Sequence, residues 1–118
     1  MGKQIIKVSP DEDLYLEWWS VVEAPIRVGT RAELAAYLNE PRRGEVWPTE
    51  EEVERRLRQA DETGSSAHRP FGCTWGSRGE MYQQRGFLPR ARMAEFARRL
   101  LDDIDAEPDG LLKPLEEQ

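Results

Sequence analysis

The sequence predicts a small α+β domain, an antiparallel sheet covered on one face by two or three helices. Three observations carry that reading. Leu14 to Val22 is a β-prone run holding the adjacent pair Trp18 and Trp19. Thr30-Arg31-Ala32-Glu33 and Thr49-Glu50-Glu51-Glu52 are helix-capping patterns, in which a threonine oxygen accepts from the backbone three residues on. Met93, Phe96, Ala97, Leu100, Leu101 and Ile104 recur at helical spacing and form one apolar stripe. A length of 118 residues suits a single domain with a core that needs no staples.

Taken in order, Ile5, Ile6 and Val8 make a short first strand that ends at Pro10 and the acidic Asp11-Glu12-Asp13. The aromatic strand follows. Its alternation puts Leu14, Leu16, Trp18, Ser20 and Val22 on one face and Tyr15, Glu17, Trp19 and Val21 on the other. Pro25 interrupts pairing and Gly29 turns the chain. The first capping box starts a short helix over 31–39, with Leu34, Ala35 and Leu38 inward, and Pro41 ends it. A loop over 41–48 leads to the second box and a helix that runs to about Glu62, with Gly64 as terminator. That helix has a thin apolar stripe, Val53, Leu57 and Ala60. Glutamates precede arginines by four residues at Glu51–Arg55, Glu52–Arg56 and Glu54–Arg58, the favourable order for ion pairs.

Phe71–Trp75 and Glu80–Arg85 read as a hairpin closed through Gly76-Ser77-Arg78-Gly79. This hairpin joins the aromatic strand in the predicted sheet. Pro89 suits the first position of the third helix. Residues 1–106 then form one domain, and 107–118 form an acidic tail that is either flexible or docked through Leu111, Leu112 and Leu115.

Charge separates body from tail. Seven of the 23 acidic residues but one of the 17 basic residues lie in 102–118, so 1–101 balances at 16 of each. The net charge of −6 therefore belongs to the C-terminal stretch 102–118. A single cysteine, Cys73, excludes an internal disulfide and fits a reducing compartment. No run of apolar residues is long enough for a signal peptide or a membrane span, so the expected setting is cytoplasmic and off the membrane.

The residues that carry chemistry are sparse. Cys73 and His68 are single in their kind and undirected in sequence, so a nucleophilic pair is not indicated. Four zinc ligands are lacking, and no phosphate-binding glycine pattern is present. The expectation is no catalytic residue, no metal and no cofactor.

Two groups remain as candidate binding residues. The first is aromatic. Opposite faces of one strand cannot both look into one core, so Trp19, with Tyr15 beside it, and the loop residue Trp47 are candidates for a partner surface. The partner is another protein or a second copy of this chain. The second group is Arg85, Arg90 and Arg92, before and at the start of the third helix, where exposed N–H groups favour an anion. They are candidates for binding phosphate, a partner carboxylate or nucleic acid.

Leu14-Tyr15-Leu16-Glu17-Trp18, Val22-Glu23-Ala24-Pro25, Arg31-Ala32-Glu33-Leu34 and Arg85-Gly86-Phe87-Leu88-Pro89-Arg90-Ala91 together resemble small proteins of actinobacteria and their phages. The likeness covers most of the chain up to the tail. It implies a cytoplasmic setting and a phage context, and carries over no catalytic residue. The function expected from these features is a non-catalytic interaction or regulatory module, self-associating if a second copy covers the aromatic strand. Binding of an anion or nucleic acid through the arginines is the alternative.

Overall fold

In the computed structural model, residues 3–40, 49–67 and 72–114 are described. Three strands, β1 (Lys3–Lys7), β2 (Tyr15–Trp19) and β3 (Ala24–Gly29), form an antiparallel sheet with β2 in the middle. Ile6 pairs with Leu16, and Leu16 with Val28. The β2–β3 register shifts between Glu17 and Trp18, where Ile26 is the extra residue.

Helices α1 (Arg31–Leu38) and α2 (Glu50–Thr63) follow. The Thr30 side chain accepts from Glu33 N while Glu33 reaches back to Thr30 N, a complete capping box. Thr49 accepts from Glu52 N in the same way. Gly64 ends α2 with φ 98°, a left-handed cap that a side chain resists. A second, two-stranded sheet pairs β4 (Gly79–Tyr82) with β5 (Gly86–Pro89). One 3-10 turn over Arg90–Arg92 leads into α3 (Met93–Asp102).

The α+β class and the antiparallel sheet stand as the sequence predicts. Two details differ. The hairpin does not extend the aromatic sheet; it makes its own sheet and packs its Tyr82 and Leu88 into the core. The helices are divided between both faces of the sheet. On one face Ile5 and Tyr15 pack with Leu34 and Leu38 of α1 and Val53, Leu57 and Ala60 of α2. On the other, Ile6, Leu16 and Trp18 pack with Met93, Phe96, Ala97 and Leu100 of α3. The apolar character of both faces of β2 is thus explained within one chain. Burying a Leu- or Phe-sized side chain contributes roughly 1.5–3 kcal/mol, so each face needs a full layer of its own.

The hairpin also lies later in the chain than the sequence predicts. Glycines point to a turn at 76–79, but the turn is made by Gln83 and Gln84, whose φ angles are 48° and 58°. Arg85 N donates to Tyr82 O at 2.8 Å to close it. Left-handed angles at both central positions are those of a type I′ turn, usually built from Asn and Gly. Gly79 has another task. Its φ is 139°, and a Cβ there would lie 1.9 Å from Leu88 O.

The tail is docked as far as it is described. Leu111 is buried in the core, and Phe87 and Lys113 exchange backbone hydrogen bonds of 2.8 Å. Arg99 donates to the carbonyls of Glu107 and Asp109.

Candidate functional site

The two long edges of the three-stranded sheet are treated differently. The outer edge of β1 is closed by the segment after α2. Lys7 N donates to Gly64 O at 3.0 Å, and Ser66 N to Ile5 O at 2.9 Å. Among the described residues β3 has no strand beside it except β2. The sequence-based reading misses β3 because Pro25 argues against a strand. Proline is compatible with an edge strand, where its absent N–H faces no partner, and the alternation Ile26-Arg27-Val28 is the signal that could have found it.

This open edge lies between α1 on one side and α3 on the other. The three elements enclose a groove of about 520 Å³. Ile26 and Val28 come from β3, Leu34 and Tyr37 from α1, and Leu100, Leu101 and Ile104 from α3 and the residues after it. Leu101 and Ile104 are 54% and 53% exposed, the continuation of the α3 stripe beyond the core. Arg27 and Glu33 also line the groove. The Arg27 guanidinium stacks 3.7 Å from the centre of the Tyr37 ring, and the Glu33 carboxylate accepts from Thr30 N. Both charged heads are therefore already engaged within the fold.

Asp102, Asp103 and Asp105 border Leu101 and Ile104. All three are exposed, and none makes an ion pair among the described residues. The arginines of α3 are turned elsewhere. Arg98 pairs with Glu12, and Arg99 reaches Glu95 and the tail carbonyls. Carboxylates at the C-terminal end of a helix oppose its dipole, at a cost of about 0.3–1 kcal/mol each.

The candidate residues read from the sequence are placed differently. Tyr15 is 2% exposed, and its hydroxyl donates to Asp61, so it is part of the α2-side core and not of a partner surface. Burial, and then the Asp61 carboxylate, push its hydroxyl pKa well up. Trp19 is half-buried, with Lys3 Nζ 5.0 Å from its ring centre. Trp47 lies outside the described residues, as does His68.

The three arginines do not converge on one anion site. Arg85 pairs with Glu107, and Arg92 with Glu95 at 2.9 Å. Arg90 is buried inside the fold. Its guanidinium donates to Thr74 O, Val8 O, Lys7 O and Gly64 O, and stacks 4.8 Å from the Trp75 ring centre. The reason is local. Pro89 ends β5 instead of starting a helix, and the 3-10 turn sends the Arg90 side chain inward. Among the described residues no carboxylate pairs with it; the carbonyl dipoles hold the charge, and desolvation lowers its pKa.

Other titratable groups sit near the core. Cys73 is buried, and burial pushes its thiol up to about 11, away from a reactive thiolate. Gln4 links β1 to the hairpin. Its Oε1 accepts from Cys73 N at 3.0 Å, and its Nε2 donates to Glu80 at 3.2 Å. Burial, opposed by that bond, brings the Glu80 carboxyl up to about 7. A third cluster ties α1 to α2. Arg31 donates to Asp61 at 2.9 Å and to both oxygens of Glu54 at 3.1 and 2.6 Å. Glu54 therefore turns to Arg31 across the two helices, and its hydrogen bonds with Arg31 hold its pKa low.

Among the described residues no three His, Cys, Asp or Glu side chains are placed to hold a metal ion, and no helix is long and apolar enough to cross a membrane. Among the described residues the fold and the groove define an α+β domain whose three-stranded sheet is helix-covered on both faces and open at its β3 edge. No protein-family model, curated protein or solved structure matches the chain.

Proposed function

We propose that this chain is a non-catalytic interaction module that binds another protein in the groove between α1 and α3, along the edge of β3. The observation that supports the reading is the coincidence of an unpaired strand edge with Leu101 and Ile104, two large apolar side chains left more than half exposed. Unpaired N–H and C=O groups at a sheet edge accept an added strand, and adjacent apolar pockets select its side chains. The buried, deactivated Cys73 thiol supports the non-catalytic part. A reducing, cytoplasmic setting fits a lone thiol kept in the core.

The alternative of an anion or nucleic-acid site at Arg85, Arg90 and Arg92 loses its support, since each guanidinium is engaged within the fold. The test is affinity capture from nuclease-treated source-cell lysate, run in parallel with wild type and the double variant Leu101→Gln, Ile104→Gln. A protein retained by wild type and lost with the variant is the expected result. Identical sets from both baits, with circular dichroism showing both folded, remove the groove as the binding surface.

A further inference from the structure

The chemistry of the groove specifies its occupant, on the reading that the groove binds a protein. We infer that the partner segment is a single extended strand that carries apolar side chains interleaved with lysine or arginine. Three features point there. First, the floor of the groove is strand edge, so the occupant gains most by being extended and pairing with Ile26, Arg27 and Val28. Second, α1 and α3 flank that edge on both faces of the sheet. A lone strand fits between two helices. A second copy would bring its own two flanking helices against them, so the geometry favours a segment over a dimer. Third, the apolar residues at the α3 end are bordered by Asp102, Asp103 and Asp105, which have no cationic partner among the described residues and add to the negative end of the α3 dipole. A basic residue beside an apolar anchor would neutralise them, whereas an acidic segment would be repelled.

In an extended strand, alternate side chains point the same way. One set of the occupant's side chains would lie towards Leu101 and Ile104 at the α3 wall, and the other towards Leu34 and Tyr37 at the α1 wall. The basic residues belong to the α3 side.

The experiment is selection from a displayed library of random peptides about eight residues long, a length that spans the edge. The full chain is the bait, and the affinities of the enriched synthetic peptides follow. The expected outcome is enrichment of peptides with alternating apolar residues and an excess of Lys and Arg. Their binding should fall at least about tenfold in the double variant Leu101→Gln, Ile104→Gln. It should fall about fivefold at low salt in the double variant Asp102→Asn, Asp105→Asn, with that difference shrinking towards about 0.5 M salt. The Asn variant removes charges that oppose the helix dipole, so it folds at least as well as wild type and its loss of binding cannot be loss of structure. Asp103 is left intact, because its carboxylate accepts from Asp105 N at 3.0 Å.

Enriched peptides without a basic excess, or unaffected by the Asn variant, overturn the partner chemistry while the groove stands as the binding surface. Enriched peptides that bind the Gln variant as well as wild type overturn both. No enrichment also overturns the inference. Sedimentation equilibrium then separates its causes: a dimer broken by Leu101→Gln makes the occupant a second copy.

Discussion

The Tyr15 hydroxyl donates to the Asp61 carboxylate, joining the middle strand of the sheet to the last turns of α2. The same carboxylate accepts from Arg31 at 2.9 Å and lies 4.0 Å from Lys7 Nζ, so one aspartate gathers groups from β1, β2, α1 and α2. Tyr15→Phe keeps the ring in the core and removes only the donor. It should destabilise the domain by about 1–2 kcal/mol, read as a lower urea midpoint at unchanged slope. The tyrosine's role here is structural, so the variant should leave groove binding as it was.

Glu80 gives the domain a pH dependence of definite sign. Its folded carboxyl lies near 7, above the ordinary 4.5, so the folded state binds its proton more tightly than the unfolded chain does. The stabilisation from that proton is fully present below about 4.5 and is lost as pH rises through 7. Glu80→Gln keeps an oxygen to accept from Gln4 and never ionises. Its stability relative to wild type should rise between pH 4.5 and 7 and then level off. Denaturation midpoints at a series of pH values measure this directly.

Arg90 is predicted to matter for folding and not for anions. Arg90→Lys keeps the charge but loses the planar fork that serves four carbonyls, and should cost about 2–4 kcal/mol. Arg85→Ala and Arg92→Ala break exposed pairs and should each stay within about 0.5–1 kcal/mol. Thermal melts of the three variants separate these outcomes. Three near-equal small effects would sink the buried-arginine account.

The tail residues are predicted to be part of the domain. Leu111→Ala removes a side chain from the α3-side core and should cost about 2–5 kcal/mol, seen as a fall in Tm. Truncation after Ala106 should destabilise further, since it also removes the Lys113–Phe87 bridge and the Glu107 partner of Arg85.

What was legible in the sequence was local. Thr30, Thr49 and Gly64 set the bounds of α1 and α2 to within a residue or so, because capping is a contest among neighbours in the chain. The Met93, Phe96, Ala97, Leu100 stripe marked α3 for the same reason. The turn at Gln83 and Gln84 was not legible, since glutamine carries no left-handed preference and tertiary packing imposes the angles. β3 was hidden because Pro25 has opposite meanings at the edge and in the middle of a sheet, and the edge is fixed only once the other strands are placed. The groove combines Ile26 with Leu101 and Ile104, far apart in the chain, so only the fold assembles it. Arg90 differed from Arg85 and Arg92 through a single 3-10 turn, which the Pro89 signal did not reveal.

With β1 closed off by the backbone at Gly64 and Ser66, and β3 left open, the sheet can be lengthened on one side only. Two copies joined β3 to β3 would present only their closed β1 edges, so stacking of copies into fibres by this route is blocked, and an assembly built that way stays finite.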